Sequence, residues 1–251
     1  MDEGDSPTAG HQERADVAAT YDRIADHFAQ TREYAWPEVE AFLESGGQSI
    51  SDTSDDGPRA NRDDVSVALD LGCGNGRHAE LLAERADRVV AADASRGVLE
   101  TARERATERE FDADLVQADA AGLPLRDSTV SLAVYVATIH HLPSRAARVG
   151  TLDELGRVLT SEGRALVSAW STAHDRFDDS ENGDADGPAG DEYETGFDTT
   201  IDWTLPGDET VPRFYHIYSP EEFREDVSAS DLELVDFEVS SGNCYGVVRR
   251  T

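Results

Sequence analysis

From Val65 to Ala169 the chain alternates short apolar runs with stretches of helical spacing. The runs are Val65–Leu71, Arg88–Asp93, Ala113–Gln117, Val130–Val136 and Arg164–Ala169. Between them Arg77–Arg85, Ser95–Glu108 and Ser144–Leu159 read as helices. Short apolar runs bounded by turn residues read as buried strands, and strand–helix alternation builds a mostly parallel sheet. The segment Val130–Ile139 is apolar enough to need cover on both faces. Leu159–Gly163 reads as a helix-to-strand turn. Ser219-Pro220-Glu221-Glu222 is a capping box with proline at the first helical position, opening a helix to about Val227. Leu232–Val239 and Tyr245–Arg249 follow as two closing strands, one of them antiparallel.

The flanks differ. Residues 1–13 are polar and read as loose. Arg14–Gln30 and Pro37–Leu43 have helical spacing and form an N-terminal helical cap over about residues 14–45. Ser45–Asp64 and Ser171–Thr199 are acidic, with Gly, Ser or Pro, and read as flexible loops. The whole, 1–251, is expected to be a single domain of α/β class.

Chemistry concentrates at the strand ends. Leu69-Asp70-Leu71-Gly72-Cys73-Gly74-Asn75-Gly76 places an acid and then alternate glycines where the first strand turns into a helix. Glycines permit a tight turn and let a ligand approach the backbone, although a turn of this kind also serves without a ligand. The second run ends in Asp93, where a nucleotide fold places the carboxylate that grips ribose hydroxyls. The third leads to Asp119, which can accept from an exocyclic amine of adenine. A dinucleotide site would instead want GxGxxG. The chain here resembles the class I S-adenosylmethionine-dependent methyltransferases. That resemblance implies a Rossmann-like seven-stranded sheet with one antiparallel strand and helices on both faces. It implies S-adenosylmethionine as cofactor, held by Asp70, Gly72, Gly74, Gly76, Asp93, Ala94, Asp119, Ala120 and Val136.

Composition changes the picture in one respect. The formal net charge is −31, and every basic residue other than histidine is arginine. Such a surface repels nucleic acid at low salt. It suits a halophilic cytosol, where molar salt shortens the screening length to about 3 Å. Cys73 and Cys244 stand far apart and predict a reducing compartment. With no apolar stretch long enough to span a bilayer, the expectation is a cytoplasmic protein with no membrane partner.

Four further segments bear on the methyl acceptor: Tyr21–Arg32 with Trp36-Pro37, Ile139–Arg145, Trp170, and Val211–Tyr218. Together they resemble the tRNA wobble-uridine (carboxymethyluridine-34) O-methyltransferases. The matching elements are YxxIAxHFxxTR with a following WP, IHHLxxR, a Trp after the fifth strand and an RYYHLY-type segment. The family's late Trp-Tyr pair stands here as Cys244-Tyr245. The resemblance implies esterification of the carboxylate of 5-carboxymethyluridine in tRNA, with Arg32, His140, Arg145, Trp170, Tyr215 and His216 around the reacting group. It also implies a small zinc-ribbon activator protein, and no metal in the chain itself. Each site residue has a structural alternative. Arg32 and Arg145 can be solvated surface charges, one of His140 and His141 a packed supporting group, and Trp170 and Tyr215 core rings. The competing functions are a small-molecule (quinone-type) methyltransferase and a non-catalytic binding protein of the same fold.

Overall fold

A computed structural model describes residues 7–50, 65–177 and 195–251, with side chains from Arg14 onward. Helices α1 (Pro7–Gln30) and α2 (Pro37–Glu44) precede strand β1 (Val67–Leu71). Then follow α3 (Arg77–Ala83), β2 (Arg88–Asp93), α4 (Arg96–Arg109), β3 (Asp114–Gln117), β4 (Val130–Val136), α5 (Arg145–Val158) and β5 (Leu159–Trp170). The remainder is β6 (Phe197–Thr204), β7 (Thr210–Ile217), α6 (Pro220–Ser228), β8 (Leu232–Ser240) and β9 (Asn243–Arg250). A seven-stranded sheet runs in the order β3-β2-β1-β4-β5-β9-β8. β9 is antiparallel to both of its neighbours and the other pairings are parallel. This is the expected Rossmann-like α/β architecture.

The two-residue period of the strands divides the core in two. Ala68, Val89, Ala91 and Val134 face α2, α3 and α4, packing with Phe42, Leu82 and Leu99. Leu69, Val90, Tyr135 and Val167 face the other way, onto Leu152 and Leu155 of α5 and Phe223 and Val227 of α6. Helices therefore cover both faces, which is why the strands read as unbroken apolar runs. The helix starts follow their local chemistry. The hydroxyls of Ser95, Ser144 and Ser219 accept from the amides of Val98, Ala147 and Glu222. The reciprocal half of the box at Ser219 is not made, because the Glu222 carboxylate turns to His216 and Arg148 instead.

Several boundaries correct the sequence reading. α1 begins at Pro7, inside the stretch read as loose. Leu159–Gly163 belongs to β5, with an irregularity in its pairing between Val130 and Leu132. Ser45–Ile50 pack rather than flex: the Ser45 hydroxyl accepts from the Gln48 and Ser49 amides, Ile50 is buried, and Ser49 donates to Asp236 at 2.6 Å. At the other loop, Asp175–Phe177 form a 3-10 turn and Phe197–Thr199 lie in a strand. The rest of both loops, 51–64 and 178–194, lies outside the described residues. The largest departure is a two-stranded sheet of β6 and β7, whose Ile201, Tyr215 and Ile217 form a third small core with Trp170, Phe177 and Phe197.

Candidate functional site

The glycine turn is built from close approaches. Gly72, Gly74 and Gly76 all have positive φ. A Cβ on Gly72 would collide with Thr138 just past β4. The amides of Gly72 and Cys73 donate to the Ala92 carbonyl of β2, and the Gly74 amide donates to Asp93 at 3.0 Å. The second Asp93 oxygen accepts from the Ser95 amide at 2.9 Å. Asp93 thus fastens the turn to the start of α4 while facing a cleft. Burial raises its pKa to about 6. Asp70 lies beneath the turn at 1% exposure, and burial raises it to about 7.

Helix α1 lies across this turn. Gly97 lets it come close, since a Cβ there would stand 3.1 Å from Cβ of Ala25. Asp22 accepts from the Ser95 hydroxyl at 2.6 Å and from the Gly97 amide at 2.8 Å. Asn75 donates to the carbonyls of Arg32 and Ala29, tying the end of α1 to the glycine turn. Arg14 reaches over to Asp119 at 2.8 Å.

The cleft beneath α1 continues past the ends of β4 and β5 to a wall of rings. Tyr215 of β7 stacks on Trp170 and on His140, each with centroids 5.0 Å apart. His140 accepts the Trp170 amide at Nδ1, so its hydrogen resides on Nε2. Its pKa is held well below the usual value by burial and by the neighbouring His141, Arg213 and His216. Burial, with Arg213 adding to it, lowers His141 to about 3. Both histidines are therefore neutral. Burial raises the Tyr215 pKa, and Arg213, Arg32 and Arg176 oppose that rise. Three arginines thus direct positive potential onto this ring in a chain of net charge −31.

The structure brings some expected residues together and removes others. Arg32, His140, Trp170 and Tyr215 line the cleft, as do Gly72, Gly74, Asp93, Ala94, Asp119, Ala120 and Val136. Arg145 and His216 do not. Arg145 is largely exposed on α5 and pairs with buried Asp226 at 2.6 Å. His216 faces the opposite side of β7 from Tyr215, held between Asp198 at 2.7 Å and Glu222 at 2.9 Å. Asp70 and Gly76 support the turn from below, Gly76 as the residue before α3. Residues not singled out in the sequence include Tyr21, Arg77 and Arg213, all in the lining, and Trp203, against which Arg32 and Arg213 stack. Strand alternation in Phe197–Thr204 was the available signal for Trp203.

An acid after each of three adjacent parallel strands, a glycine turn of positive φ and a cleft along their carboxyl ends define a nucleotide-type site of the class I fold. Residues 69–167 match the family described as "Methyltransferase domain". Over that stretch the chain carries a methyltransferase-type domain on the class I sheet, whose cofactor is S-adenosylmethionine.

Among individual proteins it is similar to the mouse tRNA (carboxymethyluridine(34)-5-O)-methyltransferase ALKBH8, at 29% identity over 63% of this chain and 20% of that one. The Arabidopsis thaliana enzyme of the same description is 31% identical over 63% and 33%. The Saccharomyces cerevisiae enzyme is 28% identical over 82% and 62%. The chain thus spans between a fifth and under two thirds of the length of these relatives. Of solved structures, the CcbJ methyltransferase from Streptomyces caelestis superposes with TM-score 0.67 at 19% identity, covering 94% of this chain and 99% of that one. The DhpI–SAH complex superposes with TM-score 0.65 at 15% identity, covering 96% and 98%. No helix among the described residues is long and apolar enough to cross a membrane.

Proposed function

We propose that this chain transfers a methyl group to the carboxylate of a 5-carboxymethyluridine at the tRNA wobble position. The observation that carries the reading is the ring wall of Trp170, Tyr215 and His140, faced by arginines and containing only neutral histidines. A flat wall suits a pyrimidine lifted out of its stack. Positive potential suits an anionic acceptor. A carboxylate is already a nucleophile at neutral pH, so the absence of a charged histidine is no obstacle. The described name of the mouse, plant and yeast relatives points the same way.

The residues lining the cleft support the cofactor roles. Asp93 would offer its remaining lone pairs to ribose hydroxyls, Asp119 with Ala94 and Ala120 would face the adenine, and the turn Gly72–Gly76, with Asp70 beneath it, would face the methionine portion. S-adenosylmethionine, when bound, supplies an electrophilic sulfonium methyl group. The chain's own residues bind, orient and exclude water, which is most of what such a transfer requires. Arg32, at the mouth of the cleft, steers the anionic acceptor inward. A high-salt cytoplasm belongs to the same reading, supported by the acidic composition. So does a small zinc-ribbon partner, with β3 and β8 as the two edge strands of the sheet. A monodisperse and fully active lone chain would reject that partner.

The test is nucleoside mass spectrometry of tRNA from cells with and without the protein. The methyl ester should disappear and its free acid accumulate. Unchanged nucleosides, with methyl transfer to a neutral small molecule in vitro, would replace this reading by the small-molecule one.

A further inference from the structure

One buried cation of the cleft has no carboxylate partner among the described residues. Arg213 of β7 is 7% exposed, and its Nε has no hydrogen-bond partner. Arg148, equally buried, pairs with Glu222 and Asp226, and Arg164 donates to two backbone carbonyls. The Arg213 guanidinium is instead packed against Trp203, 4.7 Å from the ring centroid, and Tyr215, at 5.1 Å. Ring faces recover only part of what a cation loses on leaving water. Arginine cannot escape by losing its proton. The Tyr21 hydroxyl accepts a hydrogen bond from this guanidinium, and the charge opposes the rise that burial imposes on the Tyr21 pKa. The surroundings are organised for a cation that still needs an anion.

Position within the cleft identifies which anion. Arg213 lines the cleft on the hairpin side, beside Tyr215 and His141, while Arg77 lies with the glycine turn. Arg32 is nearer solvent, donates to Thr31, and stacks on Phe28 and Trp203. Arg145, the other candidate, is taken up by Asp226. A planar guanidinium packed against two rings keeps its fork geometry, which suits bidentate pairing with a carboxylate.

We propose that Arg213, clamped between Trp203 and Tyr215, is the residue that grips the carboxylate of the methyl acceptor. This rests on the reading above that the acceptor is a carboxylate beside a pyrimidine. The pair has to stay geometrically loose at one oxygen, since that oxygen must remain free to attack.

The experiment compares wild type with Arg213→Met and Arg213→Lys. The measurements are the ligand-free melting temperature, the S-adenosylhomocysteine affinity, the binding of uracil-5-acetate against uracil-5-acetamide, and KM and kcat for tRNA bearing carboxymethyluridine. Wild type should prefer the acetate. Arg213→Met should abolish that preference and raise KM on the order of 100-fold, the scale of a bidentate charged pair. Its S-adenosylhomocysteine affinity should hold, and its melting temperature should not fall, because a buried charge without a counter-ion is gone. Arg213→Lys should recover part of the KM, having the charge without the fork.

Equal loss of S-adenosylhomocysteine affinity in Arg213→Met would overturn the proposal by assigning Arg213 to the cofactor's carboxylate. An unchanged KM, or no preference for acetate over acetamide in wild type, would overturn it as well. Arg213-dependent acetate binding without any turnover of tRNA would uphold the subsite and reject the tRNA reading.

Discussion

The hydroxyl of Tyr21 stands 2.7 Å from Nε2 of His141, joining α1 to the turn that follows β4. The roles in this bond are fixed by the other ring nitrogen. His141 Nδ1 faces the Phe214 carbonyl at 3.0 Å, which can only accept. Nδ1 therefore carries the hydrogen, Nε2 accepts, and Tyr21 donates. One neutral imidazole thus links the N-terminal helix, the core sheet and the β6–β7 hairpin.

Tyr21→Phe should leave Nε2 without its donor in a largely enclosed place. The cost is about 1–2 kcal/mol, or a fall of roughly 2–8 °C in melting temperature for a chain of this size. Cofactor affinity should fall too, because α1 covers the glycine turn. Thermal unfolding and calorimetry check both. Unaltered values would show that the helix is held elsewhere, by Asp22 on Ser95 and Gly97.

Asp93→Ala should weaken S-adenosylmethionine binding by roughly 2–4 kcal/mol, the scale of two charged hydrogen bonds. The same variant removes the acceptor for the Gly74 and Ser95 amides, so the ligand-free protein should also lose stability. Titration calorimetry decides the point. Wild-type affinity in the variant would free Asp93 from its proposed role at the ribose.

What was legible in the sequence was local. The acids at the strand ends, the glycine turn and the serines at positions 95, 144 and 219 announce themselves because their partners lie within a few residues. The β6–β7 hairpin was missed although Phe197, Thr199, Ile201 and Trp203 alternate with exposed positions. The acidic run before it argued for a loop. Pro212 is tolerated because it is exposed in a two-stranded ribbon, opposite Asp202. The partners of the arginines were not legible. Arg145 and Asp226 are 81 residues apart in sequence, so no local pattern shows that this charge is already paired. The unpaired Arg213 is recognised only once the fold shows what surrounds it.

Asp70 should impose a pH dependence on stability. Its carboxyl titrates at about 7 in the fold, chiefly through burial, against 3.8 ordinarily. Between these values the folded chain holds a proton that the unfolded chain has released. The stability Asp70 contributes is therefore full below about pH 4 and is lost as pH rises through about 7. Asp70→Asn keeps an acceptor for the backbone and has no charge to bury. The variant should gain on wild type steadily from pH 4 to pH 7, by up to about 4 kcal/mol at 1.36 kcal/mol per unit. Denaturant melts at three pH values measure this. A difference that does not change with pH would mean that Asp70 is relieved by solvent.

Salt should stabilise the fold. The net charge of −31 is spread over a surface without lysine. Raising ionic strength from 0.1 M to 1 M shortens the screening length from about 10 Å to about 3 Å, which weakens repulsion between separated carboxylates more than it weakens close ion pairs. The melting temperature should climb across that range in potassium chloride and sodium chloride alike. A flat response would remove the argument for a high-salt setting and leave the acidity unexplained.

Trp170 and Arg145 separate acceptor contact from architecture. Both were candidates in the sequence, and the structure parts them: Trp170 stacks on Tyr215 in the cleft, whereas Arg145 lies outside it on Asp226. Removing Trp170 takes away one face for a base, worth about 1–3 kcal/mol. Trp170→Leu, which keeps apolar bulk, should raise KM for carboxymethyluridine-bearing tRNA by roughly 5–150-fold, with cofactor affinity little changed. Arg145→Ala should behave differently. Asp226 retains Tyr218 as a donor at 3.0 Å and Arg148 as a cation at 3.5 Å, so its charge is not abandoned. Because the Arg145 side chain is half exposed, its pairing is worth little, within about 1 kcal/mol. KM and kcat should stay at wild-type values while the melting temperature slips slightly. Steady-state kinetics on the two variants tests the division, and a kinetic defect in Arg145→Ala with Trp170→Leu intact would reverse it.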